Sequence, residues 1–253
     1  MKQKIEKEIR FVMTKEMYQA VKKKVMDNLS ILKHGCAVKE LTVMYDNPNP
    51  NYSFYSPQID GRLRLRSSSP CASDFIEENK ALNVPSSLLT WKQRIPGYDG
   101  TICKEKEVEV SLASGIDTEN LTVMLEDILH CPRISSYERV RETFYSEGIE
   151  IAFDTFPYGN VVELEIKEDL IEETKLYDMA RLLGLEDSAV VSTLSCDDIY
   201  KVMCDIAGVV AKSDLLFDDK EMPTFDEYLS HIKKDGGVIN ETCKNCNSSG
   251  SQL

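Results

Sequence analysis

The sequence lacks any apolar run near the roughly 18 residues that a membrane-spanning helix requires. It also lacks an apolar signal core, because charged residues begin at Lys2. A cytoplasmic protein with no membrane partner is therefore expected. Positive charge is scarce: 30 Lys and Arg stand against 43 Asp and Glu, for a net charge of -13. That balance argues against broad nucleic-acid or membrane-surface binding and leaves room only for a local basic site. A second cysteine pair is missing too. Six of the eight cysteines are isolated, and only Cys243 and Cys246 have ligand-like spacing. A structural zinc site needs about four ligands, and His231 is the nearest further donor, so free thiols and a tail rich in Ser, Asn and Gly are expected.

What remains is an ordinary soluble composition, 253 residues with 42% hydrophobic and 29% charged. That length suits one large domain or two small ones. The dominant pattern is a two-residue alternation, which sends successive side chains to opposite faces of a strand. In residues 161–167, Val162, Leu164 and Ile166 alternate with Glu163, Glu165 and Lys167. Near the start of the chain, Glu6, Glu8 and Arg10 repeat the same acid, acid, base face.

In order, strands are expected at 4–13, 38–45, 61–66, 88–95, around 105–110, 135–145, 149–154 and 161–167. Helices are expected at 15–33 with Thr14 as N-cap, at 117–130 with Asp117 as cap, at 168–183 stopped by Gly184, and at 196–210. Residues 47–53 and 67–83 read as loops, and 157–160 as a hairpin turn.

Charge is segregated by strand: Arg62, Arg64 and Arg66 share one face, whereas Glu105, Glu107 and Glu109 share another. A solvated face normally mixes signs, since like charges side by side repel. The alternative is an α+β fold: a closed, mostly antiparallel eight-stranded β-barrel with charged residues inside and helices packed on the apolar outside. Such an interior is costly unless a polyanion and divalent cations occupy it. Clustered carboxylates suit Mg²⁺ or Mn²⁺, and arginines and lysines suit phosphate oxygens.

These motifs resemble the CYTH superfamily, the triphosphate tunnel metalloenzymes. Glu6-Lys7-Glu8-Ile9-Arg10 is similar to its ExExK motif. Leu63-Arg64-Leu65-Arg66, Trp91-Lys92, Glu107-Val108-Glu109, Arg139-Val140-Arg141 and Glu163-Leu164-Glu165-Ile166-Lys167 follow in the family order. The resemblance covers about residues 1–215, with 216–253 an extension expected to lose order from about 236. It departs at Arg10, where the family carries lysine; a guanidinium keeps the charge but not the shape.

The resemblance implies a tunnel that binds a small-molecule triphosphate with Mg²⁺ or Mn²⁺. By position it implies Glu6, Glu8, Glu107, Glu109, Asp154, Glu163 and Glu165 as metal ligands. Arg10, Arg62, Arg64, Arg66, Lys92, Arg94, Arg139, Arg141 and Lys167 would grip the phosphates, and Glu165, Glu109 and Lys92 would assist catalysis. The leading expectation is a metal-dependent triphosphatase. A class IV adenylyl cyclase is the alternative, although the sequence has no His-Phe pair of the kind such cyclases often carry. A non-catalytic polyphosphate-binding module is the third. An RNA 5′-triphosphate end is the one nucleic-acid substrate left open, without support from the acidic composition.

Overall fold

Alternation along the chain closes into a ring. The computed structural model describes residues 4–28, 37–71, 87–96, 101–112, 115–219, 221–227, 229 and 238–239. Eight strands form the ring: β1 (Lys4–Met13), β2 (Val38–Tyr45), β3 (Gly61–Pro70), β4 (Ser87–Arg94), β5 (Cys103–Leu112), β6 (Arg133–Ser146), β7 (Ile149–Phe156) and β8 (Gly159–Ile166). Their order is β1-β5-β4-β3-β2-β6-β7-β8, and β8 pairs back onto β1, every contact antiparallel. Closure pairs both edges of every strand and leaves no open sheet edge in the ring.

Three short strands decorate it. β9 (Val190–Ser192) pairs with the second half of β1, β10 (Asp214–Leu215) with β6, and β11 (Val238–Ile239) with β9.

The outward apolar faces are covered in patches. Helix α1 (Lys15–Asp27) starts at Thr14, whose Oγ1 accepts the Met17 N–H at 3.3 Å. With α3 (Thr174–Leu183) it covers Ile9, Phe11, Phe153, Val162 and Leu164. Each such buried side chain is worth roughly 1.5–3 kcal/mol relative to exposure. A short α4 (Leu185–Ser188) follows. Helix α5 (Cys196–Ala207) packs Ile199, Tyr200 and Met203 onto Val12, Phe156, Tyr158 and Val161. Phe225 and Leu229, from beyond residue 215, join this second core. Gly159 makes that docking feasible: a Cβ there would lie 2.2 Å from the Phe225 ring. A smaller core joins Leu125 to Tyr45 and Leu65.

Several expected boundaries move. The first helix ends at Asp27, where the Asn28 N–H bonds the Val25 carbonyl; residues 29–33 lie outside the described residues. Residues 67–70 are strand rather than loop, because β2 supplies their backbone partners from Leu41 back to Val38; 72–83 lie outside the described residues. Asp117 sits within the first turn of α2 (Gly115–Val123) instead of capping it, and the helix continues as a π turn over Met124–Ile128. The segment after β8 becomes helical only at Thr174. Helix α5 stops at Ala207, since Gly208 adopts a left-handed φ of 68° and ties the last carbonyls.

Of the tail from 236, only Val238 and Ile239 are described, so Cys243 and Cys246 lie outside. Cys103, Cys131, Cys196 and Cys204 are free thiols. No helix among the described residues is long and apolar enough to cross a membrane.

Candidate functional site

The ring encloses a cavity of about 120 Å³ lined mostly by charged side chains. Its acidic part comes from β1 and β8, neighbours in the barrel but far apart in the chain. Register puts Glu8 directly opposite Glu165 and Arg10 opposite Glu163. One carboxylate oxygen from each of Glu6, Glu8 and Glu165 lies within 4.8 Å of the others, and all three residues are buried. Lys92 on β4 closes this group: its Nζ contacts Glu6 and lies 3.2 Å from Glu107. Lys167 Nζ is 2.5 Å from Glu165 and 3.3 Å from Glu150.

The three carboxylates have divergent proton affinities. Burial pushes Glu6 up, but Lys92 and Arg64 outweigh it and hold the group at about 2. Burial dominates at Glu8, only partly offset by Arg10, and Glu163 and Glu6 add repulsion, so the group rises to about 8. Burial and the charge of Glu6 lift Glu165 to about 7 against Lys167. Three buried carboxylates within 4.8 Å repel one another unless a cation joins them. Hard oxygen donors of this kind fit Mg²⁺ or Mn²⁺.

The opposite part of the cavity is basic. Arg64 and Arg66 from β3 and Arg139 from β6 are inward and closely spaced. Arg64 approaches Glu107 only to 4.0 Å, and Arg66 approaches Glu40 to 3.7 Å. Arg64 Nε, Arg66 Nε and Arg139 Nη2 are buried without a hydrogen-bond partner. Burial, with repulsion from Arg139 and Arg64, pushes Arg66 down to about 10. Buried donors left unmade are costly, so this cluster is built for an anion.

Arg62 Nε and Nη1 are likewise buried without a hydrogen-bond partner, whereas Arg141 and Arg10 are already paired. Arg141 grips Asp154, with Nε 2.7 Å from Oδ1, and also contacts Glu163. Arg10 Nε donates to Glu163 at 2.9 Å, and its guanidinium also reaches Glu8 and the Leu194 carbonyl.

No family model and no curated protein matches the sequence. Solved structures do match. A protein from Pyrococcus horikoshii OT3 aligns at TM-score 0.52 and 19% identity, covering 75% of this chain and 94% of that one. A candidate adenylate cyclase from Vibrio parahaemolyticus aligns at TM-score 0.52 and 17% identity, covering 78% and 98%. HpAC1 from Hippeastrum, a candidate adenylyl cyclase with a dominant triphosphatase activity, aligns at TM-score 0.54 and 15% identity, covering 81% and 97%. The chain shares the fold of these structures, with a closed eight-stranded antiparallel barrel.

The tunnel gathers nearly all residues singled out from sequence. Glu6, Glu8, Arg10, Arg62, Arg64, Arg66, Lys92, Glu107, Glu109, Arg139, Arg141, Glu163, Glu165 and Lys167 all line the one cavity. Within it they separate. Glu107, Glu109, Asp154 and Glu163 are outside the Glu6-Glu8-Glu165 group. Glu109 is exposed. Asp154 is fully buried behind the cavity, held by Arg139 and Arg141. Arg94 sits near α5, 4.0 Å from Asp198 and 3.9 Å from Asp60.

Sequence reasoning missed one element of the cavity wall and one residue that supports the wall from behind. One is the start of α5: Ser195 caps it, and both Ser195 Oγ at 3.2 Å and Asp198 at 3.0 Å accept from Arg62 Nη2. The run Ser195-Cys196-Asp197-Asp198 carries a cap signal, but nothing local says that the cap enters a barrel. The other is Glu40 on β2, a lone acid on a strand with no repeated charge to mark its face.

Proposed function

We propose that the protein is a divalent-metal-dependent triphosphatase acting on inorganic triphosphate or a nucleoside or other organic triphosphate. One observation carries this reading: a buried Glu6-Glu8-Glu165 group shares a cavity with the guanidiniums of Arg64, Arg66 and Arg139, in which Arg64 Nε and Arg139 Nη2 are buried N–H groups without a hydrogen-bond partner. A triphosphate chelating a cation satisfies both halves at once. The triphosphatase activity described for HpAC1, a protein of the same fold, supports it.

Glu6, Glu8 and Glu165 would hold Mg²⁺ or Mn²⁺, which when bound supplies charge neutralisation at the phosphate oxygens. The chain's own contribution is positioning and electrostatics. Arg64, Arg66 and Arg139 bind the non-reacting phosphate oxygens through N–H donors, in a site that excludes most water. Lys92, fixed between Glu6 and Glu107, offsets charge developing on the phosphoryl group. We assign Glu165 to take the proton from the attacking water as its oxygen bonds to the terminal phosphorus and the phosphoanhydride bond breaks, so that orthophosphate forms and the diphosphate portion leaves with the electron pair of that bond. Glu109, at an exposed position, has no step in this scheme.

Incubation of the protein with tripolyphosphate, and separately with ATP, in Mg²⁺ and in Mn²⁺ tests the reading. Orthophosphate release is expected. Pyrophosphate with cyclic AMP from ATP would establish the cyclase instead, and tight binding without turnover would establish a binding module.

A further inference from the structure

The arginine cluster raises a question that its own residues do not answer: what keeps three buried cations in place before any anion arrives? Arg139 supplies the clearest case. Its Nε donates to Glu40, its Nη1 donates to Asp154 at 3.1 Å, and only Nη2 is left without a partner. Glu40 therefore holds one edge of the guanidinium and Asp154 another. The same Glu40 carboxylate lies 3.7 Å from Arg66 Nε and accepts from Ser68 Oγ at 3.4 Å.

Glu40 itself is buried and is not part of the cavity wall, whereas Arg66 and Arg139 are. β-Register fixes this arrangement, since Glu40 is the direct partner of Arg139 on one side and of Ser68 on the other. Burial pushes its proton affinity up, but Arg139, Arg66 and Arg141 prevail and hold it near 2, so it is ionised.

We propose that Glu40 is a positioning residue of the anion site, holding Arg139 and Arg66 from behind so that their remaining N–H groups serve the bound phosphates. It touches no substrate. Its carboxylate relieves repulsion among Arg64, Arg66 and Arg139 and fixes their side chains in advance, so less ordering is needed on binding. The substrate half of this inference rests on the triphosphatase reading, whereas the arginine clamp is independent of it.

The test compares wild type, Glu40→Gln and Glu40→Asp, each checked for folding by circular dichroism. In ligand-free protein, the Arg139 Nε–H is followed by ¹⁵N NMR. Its exchange with water is expected to be about tenfold faster in Glu40→Gln and intermediate between Glu40→Gln and wild type in Glu40→Asp, which keeps the charge on a shorter side chain, as weakening of one charge-assisted bond implies. With tripolyphosphate and Mg²⁺, KM is expected to rise about tenfold in Glu40→Gln while kcat stays within about threefold, since ground-state anion binding is what weakens.

Unchanged exchange in a folded Glu40→Gln variant overturns the proposal. So does a KM that is unchanged or lower, which would make Glu40 a competitor of the phosphates. If wild type turns over no triphosphate, the functional reading fails, and the exchange measurement still decides the role of Glu40. Should Glu40→Gln not fold, Glu40→Asp carries both measurements, and wild-type exchange and KM in that shortened variant overturn the clamp.

Discussion

Glu8 on β1 and Glu165 on β8 face each other as direct cross-strand partners, and both are buried. Two like charges in that relationship destabilise a sheet. Here Glu6 brings a third carboxylate to the same place, with Lys92 and Lys167 on its flanks. The arrangement is hard to explain as scaffolding, because apolar residues at these positions would pack without the penalty.

Removing the cation or one ligand should separate binding from chemistry. Chelation with EDTA is expected to abolish phosphate release, and added Mg²⁺ or Mn²⁺ to restore it. Glu165→Gln keeps the shape but not the charge; kcat is expected to fall by at least ~10²-fold, since changes even to residues outside a metal's ligand set typically cost 10–100-fold. Metal-dependent turnover at the wild-type rate in Glu165→Gln would remove this residue from the site.

Arg64 should contribute mainly to holding the anion. A charge-assisted hydrogen bond is worth about 1.5–3 kcal/mol, so Arg64→Ala is expected to raise KM for tripolyphosphate roughly 10–100-fold. Arg64→Lys keeps the charge and is expected to recover only part of the loss, because an ammonium does not reproduce the guanidinium fork. Steady-state kinetics on both variants checks this, and full recovery by lysine would show that charge alone suffices.

Acid stability should carry the mark of Glu40. Its carboxyl ordinarily titrates near 4.5 and is held near 2 in the fold, with burial opposing and the arginines prevailing. A depressed value means that its stabilisation is present above about pH 4.5 and is lost as pH falls toward 2. The displacement corresponds to something on the order of 3 kcal/mol. Urea unfolding from pH 5 to pH 2 is expected to show a smaller loss in Glu40→Gln than in wild type. An identical slope in both proteins would remove Glu40 as its source.

Gly159 tests whether the segment past residue 215 belongs to the barrel's packing. A methyl group there meets the Phe225 ring at 2.2 Å, so Gly159→Ala is expected to destabilise the fold by about 1–3 kcal/mol through overpacking. Pairing it with Phe225→Ala gives a double-mutant cycle, in which strictly additive effects would show that the two positions are not in contact.

Sequence alone determined the strand faces. A period of two is a local property, readable without knowing any partner, and it correctly divided Leu164 and Ile166, buried on the helix-covered outside, from Glu163 and Glu165 in the cavity. Segregation of arginines on β3 from glutamates on β5 was enough to predict a closed ring with a charged interior. Where the partner came from elsewhere in the chain, the sequence had no means of assigning it.

Tertiary structure decided which charges meet. Arg10 and Glu163 pair across a separation of 153 residues, and Asp154 is drawn behind Arg139 and Arg141 instead of joining Glu6, Glu8 and Glu165. Pairing register makes those choices, and register is a long-range outcome of ring closure and of packing on both sides of the sheet. For the same reason Glu40, a single acid with no local pattern, acquires its place beside the arginines only when β2 lies between β3 and β6.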